Sequence, residues 1–135
     1  MTSTVTVLYP ATAADSFDLE YYKNTHMPFM AEEFKLYGLK GYTVTRFLAS
    51  PTADNPLAPP LYTVQSTLEF DSIEQVKAAF ANAGERVKAG LARVCPVEPQ
   101  IIVGEVIARR VQKGVDSAAS ATVEQAGAPV AVAAA

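Results

Sequence analysis

His26 is the only histidine in this 135-residue chain, and Cys95 is its only cysteine. Imidazole is the side chain whose unperturbed titration lies nearest neutral pH, so His26 is the first candidate for proton transfer. Tyr22 stands one helical turn earlier and supplies a hydroxyl able to orient a substrate or stabilise an oxyanion. Pro28 follows closely and removes a helical hydrogen bond, which opens space beside the imidazole. Two readings of His26 stand open on these residues: a structural imidazole packed beside Tyr22, or a general acid/base. The direction of its pKa shift is open too, because a helix C-terminus raises it and a helix N-terminus lowers it. Tyr9, Tyr42 and Tyr62 lie on strand-like segments and suit a core or an interface. Grouped near a histidine, and with Met30, they are alternatively substrate-binding residues lining a pocket for a small hydrophobic or aromatic ligand.

Other chemistries fit the sequence poorly. One histidine and one distant cysteine lack metal-ligand spacing, so no metal site is expected. No glycine-rich phosphate loop or dinucleotide fingerprint occurs, so no cofactor is expected either. Cys95 sits beside Pro96 in an apolar run with no neighbouring base, and reads as buried and inert. Arg46 alternates with Tyr42 and Leu48 on a strand, where its charge requires a partner. Eleven basic residues against 14 acidic ones give a net charge of −3, which argues against nucleic acid as a partner. No apolar run approaches the roughly 20 residues of a spanning helix, so no membrane association is expected. The N-terminal residues alternate in polarity, unlike a signal peptide. With a single cysteine, the expected location is cytoplasmic.

The elements that must position these residues follow from periodicity. Residues 3–9 alternate, with Val5, Val7 and Tyr9 on one face, and Pro10 stops the strand. A helix follows with Asp18 as N-cap, and Phe17 and Tyr22 fit a hydrophobic staple around it. Leu19, Tyr22, His26 and Phe29 or Met30 share one helical face. Pro28 predicts a kink or restart, and Gly38 caps the second piece. Residues 41–48 and 61–70 alternate as two further strands, separated by a proline-rich loop. Asp71 opens a capping-box-like helix start, and the helix behind it breaks near Asn82-Ala-Gly84. Residues 100–107 form the fourth strand. The order β-α-β-β-α-β is the ferredoxin-like plan of the α+β class, a four-stranded antiparallel sheet with helices on one face. Its other face would expose apolar residues, which predicts a homodimer packed sheet to sheet. All six Tyr and six Phe lie between Tyr9 and Phe80, so residues 1–112 form the domain. Residues 113–135 contain nine Ala and no aromatic residue, and read as a mobile low-complexity tail.

Three stretches resemble the EthD-domain family: Val7-Leu-Tyr-Pro10, Phe17-Asp-Leu-Glu-Tyr-Tyr-Lys-Asn-Thr-His-Met-Pro28, and Gly38-Leu-Lys-Gly-Tyr42. Glu98-Pro99-Gln-Ile-Ile and Gly104-Glu-Val extend the likeness, which covers about residues 3–108. The resemblance implies a ferredoxin-like domain that pairs into a dimeric α+β barrel. It also implies that the family histidine is His26 and the pocket tyrosine Tyr22, in a cleft between helices and sheet. The family is named after a component of a cytochrome-P450-based ether-degradation system, and its members often carry a reductase or oxidoreductase label. Related barrels include cofactor-free cyclases, decarboxylases and isomerases. The function expected from this resemblance is cofactor-free acid/base catalysis on a small hydrophobic or aromatic molecule, in catabolism or secondary metabolism. The alternative is a non-catalytic ligand-binding or auxiliary protein that supports an oxygenase system.

Overall fold

A computed structural model of the chain describes residues 1–113. The expected alanine-rich tail lies, beyond Lys113, outside the described residues. Four strands, β1 (Ser3–Pro10), β2 (Gly41–Arg46), β3 (Tyr62–Phe70) and β4 (Gln100–Glu105), form one antiparallel sheet in the order β2-β3-β1-β4. The first connection holds α1 (Leu19–Tyr21), a π-helical turn (Tyr22–His26) and α2 (Met27–Lys35). The second is α3 (Ile73–Val94). This is the ferredoxin-like α+β arrangement, with residues 1–47 and 62–107 in one compact unit.

Period-two patterning sets which face each strand buries. Val5 pairs with Leu68 and Val103, and Val7 with Ser66 and Ile101, so these side chains share the face that meets the helices. Tyr9, Val64, Leu68 and Phe70 are buried there against Phe34, Val76, Ala79 and Val87 from the helices. Buried residues on α3 (Val76, Ala79, Ala83, Val87, Val94), with the partly buried Leu91, recur every three or four positions and keep one stripe on the sheet along this 22-residue helix.

Several sequence expectations need correction. Helix α3 does not break at Asn82-Ala-Gly84, because Ala83 continues the buried stripe while Asn82 points outward and donates to the Ala78 carbonyl at 2.8 Å. The N-cap is Ser72 and not Asp71. Ser72 Oγ accepts from the Gln75 N–H at 3.3 Å, and Gln75 Oε1 accepts from the Asp71 N–H at 2.8 Å. At Pro28 the expected irregularity is present, and α2 starts at Met27 directly before the proline. A π turn precedes it, with the Met27 N–H bonding to the Tyr22 carbonyl. The wider turn relieves the clash that a proline ring makes with the carbonyl four residues back. The far face of the sheet is also less apolar than expected. Its alternation brings up Thr4, Thr6, Thr43, Thr45 and Thr67, with Leu8 and Ile102 as the aliphatic exceptions. Exposed aliphatic surface gathers instead on edge strand β4, where Ile101, Ile102 and Val103 are 43, 49 and 46% exposed.

Gly38 does end the α2 segment as expected, in a left-handed conformation with φ 98°. The loop of residues 48–61 belongs to a second, smaller unit. Within it, Thr52 Oγ1 accepts from the Asn55 N–H at 3.0 Å, and the Ser50 N–H donates to the Ala58 carbonyl at 2.7 Å.

Candidate functional site

Local sequence fixes the helix that carries the candidate residues. The Asp18 carboxylate accepts from the Tyr21 N–H at 3.0 Å, and the Asp18 N–H donates to the Val94 carbonyl at 2.9 Å. The start of α1 is thereby tied to the end of α3. Phe17 and Tyr22 meet edge to face at 5.1 Å between ring centroids, the staple expected on either side of the cap. With its entry angle set, the helix turns Tyr22 inward, and the π turn carries His26 to the same side. Their rings stack in parallel at 5.6 Å.

Tyr22 and His26 are 1% and 3% exposed, and both border a cavity of about 330 Å³ between helices and sheet. Met27, Met30, Phe34 and Phe80 give it apolar and aromatic walls, and Ser66 reaches it from β3. Tyr22 Oη and Ser66 Oγ share a hydrogen bond of 2.8 Å. Burial pushes the Tyr22 phenol up to about 12, with the Ser66 bond opposing in part, so Tyr22 stays protonated at neutral pH. The His26 imidazole makes no hydrogen bond to any described residue, and burial lowers its pKa. The question of direction left open by helix position is settled by desolvation: at neutral pH the imidazole is neutral and able to accept a proton.

The imidazole lies against α3 at Gly90. A side-chain carbon there would stand 2.8 Å from His26 Nδ1, closer than atoms tolerate. Glycine at this position is what lets the ring pack on the helix backbone.

Met30 lines the cavity as the sequence suggested, but the three strand tyrosines do not. Tyr9 is fully buried behind Tyr22, edge-on at 6.0 Å, and its hydroxyl has no hydrogen-bond partner among the described residues. Tyr42 lies on β2, two strands away from β1. It borders a separate surface depression with Arg46, Glu20 and Lys23. No ion pair involves Arg46 among the described residues. Tyr62 pairs with Pro10 where the β1–β3 register slips, at the end of the sheet. Ser66, Phe34, Phe80 and Gly90 went unnoticed in the sequence. Ser66 alone carried a signal, as the one small polar residue on the apolar face of β3. Cys95 is a buried free thiol, 3.4 Å from Ser16 Oγ. Among the described residues no cluster of metal-ligating side chains occurs, and no helix is long and apolar enough to cross a membrane.

A four-stranded antiparallel sheet with helices on one face is an arrangement shared with known ferredoxin-like proteins. An EthD-like protein from Ralstonia eutropha JMP134 is 29% identical, with 81% of this chain and 95% of that one aligned at a TM-score of 0.70. An ethyl tert-butyl ether d (EthD) family protein from Bacillus halodurans C-125 is 21% identical over 79% of this chain and 100% of that one, with a TM-score of 0.61. A dimeric ferredoxin-like protein from an uncultured marine organism shares the fold at 11% identity, with 84% and 95% of the two chains aligned and a TM-score of 0.50. No protein-family model and no curated protein matches the chain. The chain is thus similar in fold and sequence to the EthD-like protein from Ralstonia eutropha, and in fold to the Bacillus halodurans protein.

Proposed function

We propose that this EthD-like protein binds a small hydrophobic or aromatic molecule in the His26 cavity and performs cofactor-independent proton transfer on it. The observation that carries this reading is the setting of His26: buried, with its pKa lowered by desolvation, bordering a cavity, and with no hydrogen-bond partner for its ring among the described residues. A ring nitrogen in that position is available to a ligand, and its neutral form is the form that accepts a proton. Tyr22 stays protonated and holds a hydrogen bond with Ser66, which suits it to stabilise negative charge developing on the substrate. General acid/base catalysis supplies typically about 10²–10⁴-fold, so positioning within the apolar cavity contributes the rest.

A test measures turnover of a panel of hydrophobic and aromatic compounds by the protein and its His26→Ala variant. A drop of at least about a hundredfold is expected, because the group that carries the proton is gone. Unchanged turnover in His26→Ala overturns the catalytic role.

One observation favours the alternative, a non-catalytic ligand-binding or auxiliary protein supporting an oxygenase. Catalytic bases are commonly held by an orienting group, and no described residue hydrogen-bonds His26. Ligand binding retained in His26→Ala, with no turnover by either protein, selects that reading.

We further infer that two copies pair through the threonine-bearing sheet face. The dimeric description of the marine ferredoxin-like neighbour and the exposed Ile102 on that face support this assembly. The cytoplasm is the compartment that best suits its single, unpaired thiol.

A further inference from the structure

A second cavity, of about 340 Å³, lies along the end of α3 and the start of β4. Lys88, Leu91 and Ile101 border it and also border the His26 cavity. On α3, Leu91 and Ala92 stand at spacings of three and four from Lys88, so one helical stripe runs from the first cavity into the second. Across from this stripe, Ile101 on β4 forms the common opposite wall. Leu91 and Ile101 are aliphatic, so the junction is an apolar passage.

Charge singles out one residue at that junction. Glu85 borders only the first cavity and Glu98 only the second, whereas Lys88 borders both. Among the described residues Lys88 forms no ion pair, although other lysines on the surface do. An ammonium on the rim of an apolar passage provides a binding contact for one anionic oxygen group of a bound molecule.

We propose that the two cavities form one elongated site for an apolar carboxylate, with Lys88 contacting its carboxylate and the apolar body spanning both cavities. This assignment rests on the proposed ligand-binding role of the His26 cavity and names the ligand class that cavity takes. Length and charge are read by different residues, so each can be removed separately.

The test is calorimetric titration of the full chain with hexanoate, decanoate and tetradecanoate, each below its micellar concentration. Decanamide serves as the uncharged counterpart. Affinity is expected to rise about tenfold or more from hexanoate to decanoate and again to tetradecanoate, as further methylenes leave water. Ala92→Trp introduces bulk from an exposed position that borders only the second cavity, and removes the gain of tetradecanoate over decanoate. Lys88→Gln, also at an exposed position, weakens decanoate by about threefold to tenfold and leaves decanamide unchanged. Binding that does not depend on length, or equal losses for decanoate and decanamide in Lys88→Gln, overturns the elongated site while leaving the His26 cavity as a binding site. Absence of binding by all three carboxylates overturns both.

Discussion

Tyr9 and Tyr22 are neighbours of the same type and nearly the same burial, yet they belong to different regions. Tyr22 lies toward the cavity, stacked on His26 and hydrogen-bonded to Ser66. Tyr9 lies in the core beside Phe17, with its hydroxyl unpartnered among the described residues. Burial raises the pKa of both phenols, and the nearby Tyr22 and Cys95 raise that of Tyr9 further. The difference shows that burial alone does not make a buried tyrosine functional. A polar partner and access to empty space separate a site residue from a filler of the core.

Removing Ser66 gives the largest expected effect on this contrast. Ser66→Ala leaves the Tyr22 hydroxyl without its partner and is expected to cost about 1–3 kcal/mol in denaturant unfolding. Tyr22→Phe removes the other half of the pair at a smaller cost of about 1 kcal/mol, and the double variant is expected to cost less than the two losses added. Tyr9→Phe has the opposite sign. It removes an unsatisfied buried hydroxyl while keeping the ring contacts, so stability is expected to stay level or rise by up to about 1 kcal/mol. A loss on the scale of Ser66→Ala would erase the distinction between the two tyrosines.

The smallest effect is read through pH. His26 has a pKa in the folded protein below its ordinary value of 6.5, because burial disfavours the imidazolium. Between those two values the unfolded chain binds more protons than the folded one, so stability falls as pH drops. The His26 contribution is complete above about pH 6.5 and diminishes as pH falls toward the lowered folded value. Thermal unfolding measured from pH 7.5 to 5 is expected to show this slope in the parent and a flatter one in His26→Gln. Equal slopes in the two proteins would mean that the imidazole is as well solvated folded as unfolded.

The fold was legible where local rules suffice. Alternation exposed the first three strands, and the Asp18 cap, the Phe17–Tyr22 staple and the Gly38 terminator each rest on a few adjacent residues. His26, Tyr22 and Met30 were legible because one helix face groups them. Tyr9, Tyr42 and Tyr62 misled because their positions depend on strand pairing, and Tyr62 sits where that pairing shifts. Ser66 and Phe80 reach the cavity from other elements, a convergence that depends on tertiary packing. Asn82 and Gly84 looked like breakers, but one buried stripe over 22 residues outweighs two weak helix formers. The far face of the sheet shows the same dependence on pairing. Its strands looked apolar in part, and only the register revealed that threonines line up across it.

The π turn at Tyr22–His26 acts as a reading-frame shift within the helix. An α-helix advances about 100° per residue, so forcing the same residues into an unbroken α-helix would rotate everything downstream by about that angle relative to Tyr22. Met27, Met30 and Phe34 now face the core, and that rotation would swing them away from the sheet and bring exposed positions such as Phe29 toward it. One helix thus reads in two phases: the first turns Tyr22 inward, and the second begins at His26 and carries the methionines. The imidazole stands at the seam between them. A chain that restored a perfect helix here would have to give up either the histidine's position or the packing of the residues after it.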